Sequence, residues 1–254
     1  MKHVIRGQRW LAGAIAAAAL VSMSAWASAT PTTIPTSGYY TTQFTTLNDS
    51  GVTGSASVRL NGNLLTVHIN ATGLQPGVSH AQHLHGPLDA NGNPIQATVP
   101  TLAADDTNGD GFIELGEGQM AYGPILVPLS IGAGTGVFPT EPNGTLNYTQ
   151  TFDLTNPATY HSALALPGAN EADLFPLNFR EIVLHGMDAP VDITNDALGL
   201  SFTKGEYDPV FPVAAGVLMT AVPEPADLGM MGGGLALLFG LLWLRRRRVE
   251  PDLS

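Results

Sequence analysis

Apolar and polar residues alternate along most of the chain between residues 38 and 220, which is the pattern of half-buried β-strands. In residues 64–69, for example, Val67 and Ile69 alternate with polar neighbours, so one face of the strand is apolar. Asn61-Gly62 precedes this strand and predicts a tight hairpin, because both residues accept a positive φ. The predicted strands are residues 38–47, 56–60, 64–69, 81–85, 125–129, 146–154, 181–185, 198–202 and 216–220.

Clusters of Gly, Pro, Asn and Asp separate these strands, so we expect an all-β fold, an antiparallel Greek-key sandwich or barrel. Helix is scarce, although residues 169–173 could hold a single turn. Residues 87–123 form a long segment between two strands, and segments of this length without secondary structure are usually functional or disordered.

The first 29 residues have the pattern of a secretory signal peptide. Lys2, Arg6 and Arg9 precede an apolar run, and small residues at the end of the segment offer cleavage sites. We therefore expect export, with residues 30–221 forming the mature domain.

The C-terminal end has the pattern of a membrane anchor. Residues 228–244 carry no charge and are followed by four arginines, 245–248. Seventeen apolar residues are just long enough for a transmembrane helix, and the arginines hold its end in the cytoplasm. The domain before the helix is then outside.

The motif Val222-Pro223-Glu224-Pro225, the apolar run and the arginine cluster together resemble the PEP-CTERM sorting signal of Gram-negative bacteria. The resemblance covers residues 222–248, and the predicted sorting signal is residues 222–254. It implies cleavage by an exosortase-type processing enzyme, with membrane attachment before processing and delivery afterwards to the cell surface or to exopolysaccharide in the extracellular matrix.

Charge is distributed unevenly. The whole chain has a formal net charge of −11, but seven of its ten basic residues lie in the two terminal segments. Residues 30–221 contain three basic and seventeen acidic residues, a net charge of −14. Nucleic acid and anionic lipid are therefore excluded as partners, whereas cations are attracted. The chain contains no cysteine, so no disulfide stabilises the domain.

Residues 106–117 match the twelve-residue EF-hand calcium loop, and Gly111 stands where that loop turns sharply. Carboxylate and carbonyl oxygens favour Ca²⁺ over a transition metal. We therefore predict an inserted calcium loop that orders residues 87–123; the alternative is a surface turn that binds nothing. The predicted ligands are Asp106, Asn108, Asp110, the Phe112 carbonyl, Glu114 through water and Glu117 through both oxygens.

Three histidines form a second candidate site. His83 and His85 point to the same face of a predicted strand, and His185 ends a later apolar strand. Imidazoles that meet from distant strands can bind Cu or Zn. The alternative is that these rings form hydrogen bonds within the core.

The run LNGNLLTVHINATGLQPGVSHAQHLHG at residues 60–86, with NFREIVLHGM at 178–187, resembles the CHRD domain. This resemblance implies an all-β, Greek-key-like fold and a role in binding rather than catalysis. The His-x-His-x-Gly sequence and the later Val-x-His also resemble Cu/Zn superoxide dismutase, in which case His83, His85 and His185 would match three copper ligands.

Several features depart from the superoxide dismutase pattern. The chain has no cysteine pair, no histidine-rich zinc loop after Gly86 and no arginine after His185. The acidic domain would also repel an anionic substrate. We therefore expect an exported, non-enzymatic calcium-binding protein of the cell surface or matrix. The alternative is a metal-dependent oxidoreductase similar to Cu/Zn superoxide dismutase, built on the three histidines.

Overall fold

The structure of the protein is a computed structural model. The predicted signal peptide and the predicted sorting signal, with its membrane segment, lie outside the described residues. In the part that is described, no helix combines the length and the hydropathy needed to cross a bilayer. The described residues are 34–162, 164–195 and 199–221.

Most of the described chain is β-strand. The strands are β1 Ser37–Gln43, β2 Thr45–Thr46, β3 Thr53–Asn61, β4 Leu64–Thr72, β5 Gln82–His85, β6 Ile125–Pro128, β7 Thr145–Asp153, β8 Glu181–Asp188, β9 Ile193–Asn195, β10 Leu200–Phe202, β11 Tyr207–Val217 and β12 Met219–Thr220. The α-helices are α1 Leu102–Asp105, α2 Leu115–Tyr122 and α3 Glu171–Leu174, and short 3₁₀ turns lie at Pro157–Tyr160 and Leu177–Phe179.

Ten of these strands form two five-stranded sheets. The first sheet has the order β12-β1-β3-β4-β7, the second has the order β2-β11-β8-β5-β6, and β9 and β10 form a separate pair. Every pairing between these strands is antiparallel. The prediction of an all-β, antiparallel fold is therefore confirmed.

The main core lies between the two sheets and follows from the alternation in the sequence. Val67 and Ile69 of β4 are fully buried, and they belong to the same apolar cluster as Leu84 of β5 and Leu184 of β8. Because successive strand residues point to opposite faces, the neighbours of Leu84 and Leu184 must point away from this core. Those neighbours include the histidines of the second candidate site.

Two elements differ from the sequence-based prediction. β11 is a long strand, although only its C-terminal end is predicted, because Pro209 and Pro212 weaken the strand pattern. Its pairing with β8 is interrupted between Asp208 and Ala214, which accommodates both prolines. Helix α2 occupies part of the predicted loop segment, because Glu114 and Glu117 form a reciprocal capping box that starts it.

Candidate metal centre

His83 and His85 lie on the face of β5 opposite to the main core. Leu84, between them, points into that core. In the register of β5 with β8, His83 pairs with Val183 and His85 pairs with Glu181. Directly paired residues share one face of an antiparallel sheet, so Glu181, Val183 and the next alternate residue of β8 lie beside the two histidines.

That next alternate residue is His185, which joins His83 and His85 to form the histidine cluster. The ring centroid of His185 lies 5.1 Å from that of His83 and 5.8 Å from that of His85, and the His83 and His85 rings are 5.5 Å apart. The structure thus brings together the three histidines that the sequence analysis singled out.

Burial keeps all three rings neutral. Each is at most 4% exposed. Burial, with the neighbouring histidines, lowers the pKa of His83 well below its usual range. Burial and the charge of His185 lower the pKa of His85 to about 3, and burial lowers the pKa of His185 to about 4. Neutral imidazole is the form that binds metal.

Two backbone carbonyls set the tautomers of His85 and His185. His85 Nδ1 lies 2.9 Å from the Gly123 carbonyl oxygen, and His185 Nδ1 lies 2.8 Å from that of Val210. A carbonyl can only accept, so each Nδ1 carries the proton and donates, and each Nε2 keeps a free lone pair.

One buried ring nitrogen of each histidine has no hydrogen-bond partner in the described residues, namely His83 Nδ1, His85 Nε2 and His185 Nε2. Buried polar atoms usually have a hydrogen-bond partner, and a bound ligand would satisfy these three nitrogens together. One potential ligand atom from each histidine lies within 4.8 Å of the others. The three residues therefore fit a transition-metal ion, and the other ring nitrogens of His85 and His185 form the core hydrogen bonds of the alternative hypothesis.

A cavity of about 270 Å³, the histidine cavity, adjoins the cluster. Tyr122 of α2 forms one wall, with its ring centroid 4.7 Å from that of His85. Burial, with a contribution from Glu181, raises the pKa of Tyr122, so its hydroxyl stays protonated. Gln119 is the other polar residue in the walls besides the cluster. An ion held by the histidines would therefore have space beside it for a further ligand.

We expect Gly123→Ala to disturb both the fold and the site. Gly123 has a φ of 78° and a ψ of −175°, a region open essentially to glycine. A Cβ there would also collide with the backbone of Gly86 and Pro87. Backbone strain alone should lower the free energy of unfolding by about 1–3 kcal/mol. Because the Gly123 carbonyl accepts from His85, metal affinity should fall as well.

Gly116→Ala is the matched control for this prediction. Gly116 lies in α2, has an ordinary φ and has open space where a Cβ would stand. Alanine there should be neutral or stabilise by up to ~1 kcal/mol, because glycine is a poor helix former. Chemical denaturation of both variants measures the difference. Equal stability of the two would show that the Gly123 backbone is not constrained as described.

The predicted calcium loop is folded, but its oxygens bind the loop's own backbone. Asp106 accepts from Gly109 N and Gly111 N at 2.7 and 2.9 Å. One Glu117 oxygen accepts from Thr107 N at 2.7 Å, and the other accepts from Glu114 N at 3.1 Å. Among the described residues, three or more His, Asp or Glu side chains with converging ligand atoms occur only in the histidine cluster. The structure therefore gives no support to calcium binding.

The remaining predicted calcium ligands also take part in the local fold. Asn108 accepts from Asp110 N, and Asp110 accepts from Phe112 N. The Phe112 side chain packs against a small apolar cluster with Phe211. Buried Ile113 is bound to Asn48 through both its N–H and its carbonyl. The loop thus connects the domain to α2, which carries the Tyr122 wall.

Sequence reasoning missed Tyr122, Gly123, Val210 and Phe138. The first two lie in the predicted loop segment. Val210 lies in the part of β11 that is not predicted, because Pro209 and Pro212 weaken the strand pattern there. Phe138 packs edge-on against His83, with ring centroids 5.3 Å apart. No pattern in the single sequence marks them, because two act through backbone carbonyls and two through packing across the fold.

No protein-family model and no curated protein matches the sequence. A solved structure of superoxide dismutase 5 from Candida albicans, with Cu(II), is similar over 74% of this chain and 95% of that chain. The two sequences are 8% identical, and the TM-score is 0.36. A likeness this distant assigns no activity, so the function has to be inferred from the site itself.

The prediction that the protein is not an enzyme is wrong. It is based on the departures from the superoxide dismutase pattern and on the acidity of the domain. Instead, the histidine cluster presents three unpartnered ring nitrogens and lies beside a cavity of about 270 Å³. Three histidine ligands would suit a catalytic metal site, in which protein ligands leave a position open.

Proposed function

We propose that the protein is a copper-dependent oxidoreductase centred on His83, His85 and His185. The observation that carries the proposal is the convergence of the three histidines, since one potential ligand atom from each lies within 4.8 Å of the others and each ring has a buried nitrogen without a hydrogen-bond partner. Copper, when bound, supplies a one-electron redox couple. The chain has the other roles: burial holds the ligands neutral, and backbone carbonyls fix the tautomers of His85 and His185.

The ligand set supports a transition metal over a hard cation. Imidazole nitrogen suits copper and zinc, whereas calcium and magnesium prefer oxygen. Three histidines leave a coordination position free, as catalytic sites require. In sites of this kind each ligating histidine commonly donates its second N–H to a protein acceptor. His85 and His185 do so, to Gly123 and Val210.

The walls of the histidine cavity favour electron transfer over hydrolysis. Hydrolytic zinc sites commonly place a carboxylate beside the metal as a general base. No Asp or Glu lines this cavity among the described residues, and burial raises the pKa of Glu181, which pairs opposite His85, to about 8, so that its carboxyl group is protonated at neutral pH. Tyr122 cannot replace such a base, because burial keeps its hydroxyl protonated. Copper, which is redox-active, therefore fits the site better than zinc, which has no redox chemistry.

Metal analysis tests the proposal. The purified full chain, loaded with Cu²⁺ and dialysed, is expected to retain about one copper per chain with a cupric electron paramagnetic resonance signal. Ascorbate should remove the signal, and air should restore it. His83→Ala, His85→Ala and His185→Ala should each lose most of the copper.

His68→Ala is the matched control. His68 lies on the outer face of the first sheet, where its ring contacts Thr149 and Asn70. Its loss should leave the copper content unchanged. Equal copper in the three cluster variants and in wild type, or zinc retained in strong preference to copper, would refute the proposal.

Export to the cell surface and calcium binding stay separate proposals. Export is supported by the sequence of residues 1–29 and 222–254. Calcium binding is supported by the spacing of the oxygen-bearing residues in 106–117. Calorimetry with Ca²⁺ on wild type and Asp106→Ala tests the second, and it is independent of the copper measurement.

A further inference from the structure

A second cavity, the apolar pocket, lies against the histidine cluster. It has a volume of about 710 Å³, within the range of small-molecule sites. It shares three lining residues with the histidine cavity: His83, Leu164 and Val210. A molecule in this pocket would therefore be in contact with the ring of a proposed metal ligand.

We propose that the apolar pocket is the substrate site and that it takes a neutral, mainly apolar molecule with one hydroxyl group, of the size of a simple phenol. This inference rests on the proposed function, because it assigns a substrate class to the same centre. Three features support it: the apolar lining, the absence of Lys, Arg, Asp and Glu from that lining in the described residues, and the ring nitrogens of His83.

The lining is mostly apolar. Val78, Phe138, Leu164, Pro209 and Val210 provide its walls. Phe138 stands edge-on to the His83 ring, with an angle of 88° between the ring planes. A planar apolar ring can lie against these side chains and gain from the burial of its surface.

Besides His83, the polar residues in the lining are Ser79, Thr135, His161, Ser162 and Tyr207, and the hydroxyl groups among them already take part in hydrogen bonds. The Tyr207 hydroxyl donates to the Ser79 carbonyl at 2.6 Å, and the Thr135 hydroxyl donates to the Ile131 carbonyl at 2.8 Å. By contrast, His83 Nδ1 is buried and has no hydrogen-bond partner within the described residues, and the side chain is only 4% exposed. With Nδ1 directed to a metal, Nε2 would carry a proton and could donate to a substrate oxygen.

The pocket lining has no permanent charge that would hold an anion, and its basic side chains are the two histidines His83 and His161. No Lys, Arg, Asp or Glu lines either cavity in the described part of the chain. Two of the three basic residues of the domain are placed elsewhere: Arg59 is exposed on the first sheet, and the Arg180 guanidinium is buried and donates to carbonyls. Within a domain of charge −14, an anion would be repelled and would find no counter-charge.

The test measures binding of three probes of similar size to the full chain, with and without copper. The probes are 4-methylphenol, which is neutral, 4-methylbenzoate, which is anionic, and benzylamine, which is cationic at neutral pH. Ligand-observed NMR and calorimetry should show 4-methylphenol binding at least tenfold more tightly than either ion. Equal or tighter binding of 4-methylbenzoate would overturn the proposal.

Variants locate the binding. Val78→Trp should fill part of the apolar pocket and weaken 4-methylphenol binding at least fivefold without changing the copper content. Val137→Trp is the matched control, because Val137 is 56% exposed and does not line the pocket. Binding that is the same in both variants and in wild type would place the phenol elsewhere and overturn the assignment.

The copper content of the same samples separates the two proposals. Copper retained without 4-methylphenol binding overturns the pocket assignment and leaves the metal centre standing. If 4-methylphenol binds in the pocket but the protein retains no copper, the pocket assignment is supported and the metal centre is overturned. Line broadening of the phenol signals by bound Cu²⁺, absent in His83→Ala, would support the predicted proximity of the two sites.

Discussion

Copper at the histidine cluster is expected to raise the midpoint of thermal unfolding by about 8–16 °C when free copper is a thousandfold above Kd. A ligand that binds only the folded state stabilises it by about 4.1 kcal/mol at that excess. In a domain of this size each kcal/mol shifts the midpoint by about 2–4 °C. The effect should be large because the three ligands come from two strands and meet only in the folded protein.

The measurement is a thermal denaturation of the full chain with and without Cu²⁺, followed by circular dichroism. His185→Gln should lose most of the shift, whereas His68→Gln should keep it. A shift of the same size in both variants would mean that copper binds elsewhere, for example to the acidic surface. No shift in wild type, together with no retained copper, would count against the metal centre itself.

The metal-free protein is expected to lose stability as the pH falls from about 6.5 to about 4. The unfolded chain takes up a proton on each histidine near pH 6.5, whereas burial lowers the folded pKa of His185 to about 4 and that of His85 to about 3. In this window the unfolded state binds more protons, so the free energy of unfolding falls with decreasing pH. Each histidine contributes about 1.4 kcal/mol per pH unit.

Glu181 acts in the opposite direction over part of this range. It is fully buried opposite His85, and burial raises its pKa to about 8. The folded protein therefore holds a proton that the unfolded chain releases above about pH 4.5, so this residue lowers stability as the pH rises towards 8. The histidine effect has to be measured as a difference between two proteins that both keep Glu181.

Urea denaturation of metal-free wild type and His185→Gln between pH 4 and pH 8 makes this comparison. The wild-type protein should lose more stability on acidification than the variant, with the difference developing below about pH 6.5. In Glu181→Gln the fall with acidification should be steeper than in wild type. Parallel pH profiles for wild type and His185→Gln would show that His185 is not held neutral by burial.

The predicted calcium loop, residues 106–117, has a structural role whether or not it binds calcium. Glu114 and Glu117 start α2, and buried Ile113 fastens the loop to Asn48. Because α2 carries Tyr122, the loop determines where one wall of the histidine cavity lies. The side chains that suggest a calcium site in the sequence therefore also support the metal centre, from outside it.

Part of the metal centre could be predicted from the sequence. The spacing of His83 and His85 places them on one face of a strand, since side chains alternate with a period of two. The apolar run before His185 predicts a second buried strand. The convergence of the third histidine could not be predicted, because it depends on the register in which β5 pairs with β8. The register pairs residues that are about a hundred positions apart in the sequence, so local patterns do not determine it.

The sequence by itself determined the antiparallel β character, the acidity of the domain and the identity of its three candidate metal ligands, because alternation, charge and residue type are local properties. Only the tertiary structure decided that these histidines are a site. Strand pairing brings the rings together, and two backbone carbonyls, from Gly123 and Val210, occupy one nitrogen each and leave the others free. The positions of these carbonyls depend on the path of the whole chain, so no pattern of residues in the sequence predicts them.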